Sequence, residues 1–531
     1  MRVTLFAASL LLLAPFMAPA GCSLSMERYD TRAGLGGSPA GGSSSIATSN
    51  SGGFSAGGQS SSGGKSTGGA VGTGGAPLAE PTCEESLSDD AGASDAGATM
   101  EPKWDWVGII GTGQSLSVGT TPVTSKTQPY NNLKLSLGSV KVPPWDTTDK
   151  LDTMALVPLT EPIRPEGSGF PRPYPGNIWG ESPHSAMANA VTHLVKCDDP
   201  GKDYVTVHTV VGESGQGIEF LRKVPSLSKD GLEGFAYAAT LFEVTHITRL
   251  AKAAGKSYGV GAVMMTHGET DSGNGTYKDQ LIQLLNDYND DISAITGQTA
   301  RFPMYLSQQH AYPNGYTTKN SVADYSSSKG QRPLANIVQW QLGVDHKGDF
   351  VCVGPQYQYE ANHTTTSDTS VHLSALGYQM LGEKNAQVYF QREVLGHDWQ
   401  PLQPTTVERS GRSVIVHFNV PVPPLNWDGT FDSPAITEWV KGRGFELRTA
   451  SKNVTIASVA IQGDSVVVTS DSDLPASGLV VGYALSSQGV QMKQASKSVR
   501  WGQLRDSDPF VGGTSKHHNP NYALSFEMAV P

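Results

Sequence analysis

Apolar and polar positions change their period three times along this chain. A mainly apolar run from Val3 to Met17 follows a single positive charge at Arg2. Thr31 to Glu80 then shows no hydrophobic period, because Gly and Ser dominate it. From Trp104 onward, short apolar runs alternate with helical stretches. Trp104 to Gly111 (WDWVGIIG), Tyr204 to Val211, Tyr258 to Met265, Phe302 to Ser307 and Phe350 to Val353 read as buried strands. Between them, Ser182 to Lys196 spaces Met187, Ala190, Val191, Leu194 and Val195 along one helical face. Leu232 to Ala254, Tyr277 to Ile295, Pro333 to Leu342 and Ser374 to Phe390 predict further helices. This alternation predicts an α/β fold, a doubly wound five-stranded parallel sheet with helices on both faces. After Trp399 the helical period stops. Ser413 to Phe418, Phe445 to Arg448, Val454 to Ile461, Ser465 to Thr469 and Leu479 to Leu485 predict a small all-β, sandwich-like domain.

Composition narrows the class. Of 531 residues, 60 are Gly and 33 Pro, and only 16% are charged, which excludes a coiled coil or a long-helix protein. A formal net charge of -11 argues against nucleic acid as a partner, since phosphate binding needs clustered Lys and Arg. The N-terminal apolar run is shorter than the roughly 20 residues of a spanning helix, so Met1 to Gly21 reads as a secretory signal. Cys22 follows Ala20 and Gly21 directly and resembles the cleavage box of bacterial lipoproteins, although Pro19 stands where that box usually has Leu. The resemblance implies acylation of Cys22 and a cell-envelope lipoprotein; the alternative is cleavage and secretion. Residues 22–101 predict a Gly/Ser-rich disordered linker that cannot bury enough apolar surface to fold. The expected organisation is thus signal 1–21, linker 22–101, α/β domain 102–399 and β domain 400–531. With Cys22 acylated, Cys83, Cys197 and Cys352 allow at most one disulfide, which the sequence does not assign.

In an open α/β sheet the chemistry sits beyond the carboxyl ends of the strands. The first strand runs into GTGQSLSVG, which places Ser115 at the start of a helix among free backbone N–H groups. The second runs into GESGQGIEFL, where glycines let the backbone approach a ligand. The third runs into MMTHGETDSGNG, bringing His267, Glu269 and Asp271 to one strand end. The fifth is followed by HTTTSDTSVHLSALGY, with His372 just ahead of a helix. Singly these are ordinary caps and turns. Together, a strand-end serine, a late histidine and nearby acids are the ingredients of a serine hydrolase.

GTGQSLSVG, GESGQGIEF, THGETD and SVHLSALGYQMLGE resemble, in order, the four blocks of the SGNH hydrolase superfamily. They are most similar to the branch containing sialate O-acetylesterases and carbohydrate esterase family 6. The resemblance spans roughly Trp104 to Gly396 and implies an acetylesterase acting on O-acetylated carbohydrate. It implies Ser115 as nucleophile and His372 as general base. The backbone N–H groups of Ser115 and Gly215, with the His267 side chain, would then form the oxyanion hole. The acid beside His372 departs from the wider pattern, D-x-x-H: Thr369 holds that place and Asp368 lies one residue earlier, so Asp368 and Glu269 both remain open. Trp145, Phe170, Tyr174 and Trp179 lie between the first two blocks, and Trp145, Tyr174 and Trp179 are expected to offer flat faces to sugar rings. No cofactor or metal is expected, and the adjacent His517 and His518 read as solvent-facing. Two rival readings stand beside the esterase: a non-catalytic glycan- or surface-binding protein on a decayed scaffold, and an esterase for short-chain non-sugar esters.

Overall fold

Strand β1 (Trp106–Gly113) shows why a parallel sheet forms here. Val107 and Ile109 are buried towards one face and Ile110 towards the other, the double-sided burial that period-two side chains give a central strand. The computed structural model of the chain describes Cys83 and, from Lys103 onward, all residues except 121, 141–149, 164–178, 228–232, 311–316, 320–321, 325–332, 360–371, 431–440, 451 and 486–499. The signal segment, Cys22 and almost all of the linker lie outside the described residues.

After β1 come a one-turn helix α1 (Ser115–Val118) and the strands β2 (Leu133–Ser136) and β3 (Ala155–Pro158). Helix α2 (Pro183–Asp198) leads into β4 (Val205–Gly212), the short α3 (Ile218–Leu221), α4 (Phe235–Ala253) and β5 (Tyr258–Thr266). Next are α5 (Tyr277–Thr296), β6 (Met304–Gln308), the hairpin β7 (Thr317–Lys319) and β8 (Val322–Asp324), α6 (Leu334–Asp345), β9 (Phe350–Pro355) and α7 (Ala375–Tyr389). The main sheet has the order β3-β2-β4-β1-β5-β6-β9. The five expected strands are its parallel neighbours β4-β1-β5-β6-β9. The sheet is nonetheless seven-stranded, because LKLS and ALVP in the Pro-rich segment pair antiparallel and add β2 to β4. Four residues each give too short a period to read.

Alternation sorts the core. Val107, Ile109, Met264 and Val351 pack under α2 and α7, while Ile110, Val263, Met265 and Leu306 pack under α4, α5 and α6. Helices α2 and α7 pack closely because Gly382 has no side chain: a Cβ there would stand 2.0 Å from the Pro183 carbonyl oxygen.

Two antiparallel sheets follow. One has the order β10 (Gln403–Ser410), β11 (Ser413–Asn419), β16 (Ser465–Ser470), β15 (Ile456–Gln462). The other has β14 (Asn453–Val454), β13 (Phe445–Arg448), β17 (Val480–Tyr483), β19 (Phe526–Ala529). A two-stranded ladder joins β12 (Asn426–Trp427) to β18 (Leu504–Arg505). Val414, Val416, Val466 and Val468 share one cluster with Phe445, Leu447, Val481 and Phe526, as the inner faces of a sandwich do. The run from Val454 to Ile461 is two strands and not one, since the chain changes sheets at Thr455.

The tail returns to the α/β body. Phe510 packs in the core beneath α2 and α7. Lys384 of α7 donates to Asn521 at 2.9 Å and lies 3.5 Å from Asp508, while Glu383 accepts the backbone N–H groups of Thr514 and Ser515. A disulfide joins Cys83 to Cys197 at the end of α2. Cys352 is a free thiol buried in β9, and burial pushes its pKa far up.

Candidate active site

β1 lies between β4 and β5, so the ends of these three strands meet where the strand order reverses. Gly113 makes the approach possible. Its φ is +139°, and a Cβ would lie 2.0 Å from the Thr266 carbonyl oxygen, to which the Gln114 N–H donates at 3.1 Å. The chain then turns into α1. Leu116, Ser117 and Val118 are buried, and the Ser117 hydroxyl donates to the Gln114 carbonyl at 2.6 Å. Ser115 alone in this turn is half-exposed.

Gln114 is buried and holds the neighbouring strand ends with its carboxamide. Its Oε1 accepts the N–H of Thr270 at 3.2 Å and of Gly268 at 3.4 Å, and its Nε2 donates to the Thr270 hydroxyl at 2.8 Å. That hydroxyl donates in turn to the Gly215 carbonyl at 3.2 Å. Asp271 accepts the N–H of Ile218 at 2.8 Å. The three blocks are thereby tied into one rim.

His372 reaches this rim from the far end of the chain. Its Nε2 lies 2.9 Å from Ser115 Oγ. The residues beside the pair set that distance. Leu116 and Leu373 belong to one buried cluster, and the Thr120 hydroxyl donates to the Leu373 carbonyl at 3.2 Å. Ser374 caps α7 by accepting the Gly377 N–H at 3.1 Å. A fully buried carboxylate, Glu181, reinforces the arrangement. It accepts the N–H groups of Thr124 and Ser125 at 2.7 and 2.9 Å, and the Gln379 side chain at 3.1 Å. The loop after α1 and the first turns of α7 are therefore held by the same group. Gln114, Thr120 and Glu181 are absent from the sequence reading. Only Gln114 had a signal, an amide with both donor and acceptor directly before the strand-end serine.

Two expected residues are placed otherwise. His267 is fully buried, with Nε2 3.2 Å from the Gln216 carbonyl and Nδ1 2.9 Å from the Tyr277 hydroxyl. A carbonyl only accepts, so the N–H is on Nε2 and Nδ1 accepts from tyrosine. Burial lowers the pKa of His267 and keeps it neutral, despite the nearby Asp271 carboxylate. Its single N–H is engaged, which removes His267 from the oxyanion hole. Glu269 is buried, and among the described residues neither oxygen finds a hydrogen-bond partner in another residue. It therefore does not orient His372. Burial raises its pKa to about 7, with Arg500 opposing the shift and Asp271 adding to it. The N–H groups of Ser115 and Gly215 have no acceptor among the described residues, and Gly215 adopts φ +69° with open space where a Cβ would stand.

Asp368, Trp145, Phe170 and Tyr174 lie outside the described residues; Trp179 is half-buried just ahead of Glu181. His517 and His518 each place a ring nitrogen within 2.7 Å of a backbone carbonyl, those of Ser515 and Asp508. What the arrangement offers chemically is a half-exposed hydroxyl against an imidazole nitrogen, beside two backbone N–H groups.

No protein-family model matches the sequence, and no curated protein does. Solved structures similar to the chain include a novel carbohydrate acetylesterase from Xanthomonas citri, at 12% identity and TM-score 0.46, covering 80% of each chain. A protein from Arabidopsis thaliana matches at 16% identity and TM-score 0.35, over 54% of this chain and 98% of its own. NanS matches at 12% identity and TM-score 0.35, over 55% of this chain and 99% of its own.

Glu269 generates a stability prediction. A carboxyl whose folded pKa lies above its unfolded value binds more protons when folded, so stability falls as pH rises through the interval. For Glu269 the interval runs from 4.5 to about 7. Glu269→Gln should raise thermal stability at pH 8, by on the order of 1–3 kcal/mol, and the gain should vanish near pH 4. Melting curves of both proteins at the two pH values read it directly. A gain of equal size at both would show that ionisation of Glu269 is not its cause.

Proposed function

We propose that the chain is a serine esterase that removes O-acetyl groups from carbohydrate, and that it is exported. The observation that carries the esterase reading is the 2.9 Å contact between Ser115 Oγ and His372 Nε2 on the strand-end rim. With Nε2 accepting the serine proton, the imidazole carries its own proton on Nδ1, the tautomer a general base needs. Ser115 Oγ attacks the ester carbonyl while His372 takes its proton. The carbonyl oxygen gains negative charge and is held by the N–H groups of Ser115 and Gly215. Collapse breaks the bond to the sugar oxygen, which leaves with the proton from His372, and the acetyl group stays on Ser115. Water, deprotonated by the same imidazole, attacks the acetyl-serine and releases acetate.

Asp368 is the acid assigned to Nδ1. It belongs to the segment that delivers His372, and Thr364 to Ser370 is small, polar and free of proline, so one extra residue can be absorbed as a bulge. The carbohydrate substrate rests on the likeness of the four blocks to sialate O-acetylesterases and carbohydrate esterase family 6. Export and anchoring rest on Met1 to Gly21 and on Cys22.

Ser115→Ala should lower hydrolysis of 4-nitrophenyl acetate by about 10⁴ to 10⁶ with the melting temperature retained. Activity within tenfold of wild type in the pure variant would remove Ser115 from the mechanism. Comparing acetate with butyrate esters, and acetylated xylan with O-acetylated sialic acid, tests the substrate class. The acid is tested by a pair of amides. Asp368→Asn should lose about 10⁴ in turnover, as when a triad Asp becomes Asn. Glu269→Gln should stay within tenfold of wild type, and the reverse pattern would reassign the acid. In a bacterium that processes lipoproteins, the mature chain should fractionate with membranes and Cys22→Ser should not; equal partitioning of both would refute the anchor.

A further inference from the structure

A cleft of about 730 Å³ opens at the amino ends of β1, β4 and β5. Ser115 lies beyond the opposite end of the sheet, and β1 alone, at eight residues, spans roughly 26 Å. The cleft is therefore separate from the candidate active site. Three half-buried aromatic side chains line it: Trp104, Trp106 and Tyr130. The Trp104 indole lies over Gly259, where a Cβ would stand 2.2 Å from the ring, so a bare backbone carries one side of it.

The polar lining is balanced. Lys103 and Lys256 contribute two positive charges, Asp105 and Asp203 two negative ones. Lys256 lies 3.7 Å from Asp105, and Asn131 donates to Asp203 at 3.2 Å. A polyanion or a polycation would meet as much repulsion as attraction here. What fits is an uncharged molecule with flat apolar faces and a rim of hydroxyls. Its C–H edges would meet the negative faces of aromatic rings, and its hydroxyls would donate to carboxylates and accept from the ammonium and amide groups.

We propose that this cleft is a second carbohydrate site, which holds a neutral glycan while Ser115 acts on an ester elsewhere on the same polymer. It rests on the reading of the substrate as carbohydrate. The separation between the sites makes its benefit depend on length. A polymer that reaches both sites gains effective concentration at Ser115, whereas a small ester gains nothing.

The test uses the full chain carrying Ser115→Ala, so that bound glycan is not altered, titrated calorimetrically with deacetylated xylan, β-glucan, mannan and the anionic polygalacturonate. At least one neutral polymer should bind, and adding Tyr130→Ala or Trp106→Ala should weaken it about tenfold, the size of one lost aromatic contact. Melting curves identify any variant that fails to fold, and Tyr130, outside the strands and helices where Trp106 begins β1, is the safer of the two. In the chain with Ser115 intact, Tyr130→Ala should raise KM for acetylated xylan and leave hydrolysis of 4-nitrophenyl acetate unchanged. The proposal is overturned if no neutral polymer binds, if polygalacturonate binds better, or if folded Tyr130→Ala and Trp106→Ala both bind as the parent does. Failure of the intact chain to hydrolyse 4-nitrophenyl acetate would instead sink the esterase reading, and the titrations would still report on the cleft.

Discussion

The buried carboxamide of Gln114 is the interaction on which the candidate site depends. A strand-end serine is useful only if the neighbouring strand ends are held at a fixed height and spacing around it. Gln114 does this with one side chain, because an amide offers an acceptor and two donors in one plane. It accepts from Gly268 and Thr270, donates to Thr270, and through that hydroxyl reaches Gly215. Gly113 supplies the closeness that these bonds need. Without the carboxamide, the N–H groups of Gly268 and Thr270 would lose this acceptor, at a cost of about 1–3 kcal/mol for a buried group left unpaired.

The same logic explains His267 and Glu269. Both lie on the strand end nearest the serine, and adjacency in sequence made them attractive. Side-chain direction and hydrogen bonding decide otherwise. His267 joins Tyr277 to the Gln216 carbonyl and so shapes the loop that carries Gly215. Glu269 is buried and feels the charge of Arg500, a residue far along the chain. Neither relation is visible in a linear reading, because each partner arrives from another element.

The all-β part is more than an appendage. Residues 500–531 return to the α/β body, seat Phe510 under α2 and α7, set Asp508 against the Lys384 charge and give that ammonium an acceptor in Asn521. Gln308 at the end of β6 exchanges two hydrogen bonds with Ser525 at 2.8 and 2.9 Å. Helix α7 also follows directly on His372, so the packing that fixes the tail and the packing that fixes the histidine share one element. Deletion of the tail would expose Lys384 and Glu383 on that helix and open the core at Phe510.

What the sequence by itself determined is local and periodic. Double-sided apolar runs such as WDWVGIIG, with helical faces between them, specify a parallel sheet whatever the distant contacts, because burial of both strand faces has few other solutions. The same pattern put Ser115 at a strand end, and the order of the four blocks pointed to His372. Short pieces with weak period, β2, β3 and β19, carried too few alternating positions to be seen. Tertiary structure alone decided which side chains face one another. The pairing of Ser115 with His372 spans 257 residues and depends on Leu116 meeting Leu373 and on Glu181 holding the loop after α1 to the first turns of α7. The tautomer of His267, the burial of Glu269 and the choice of Cys197 for Cys83 depend on directions in space, which hydrophobic period along a chain does not encode.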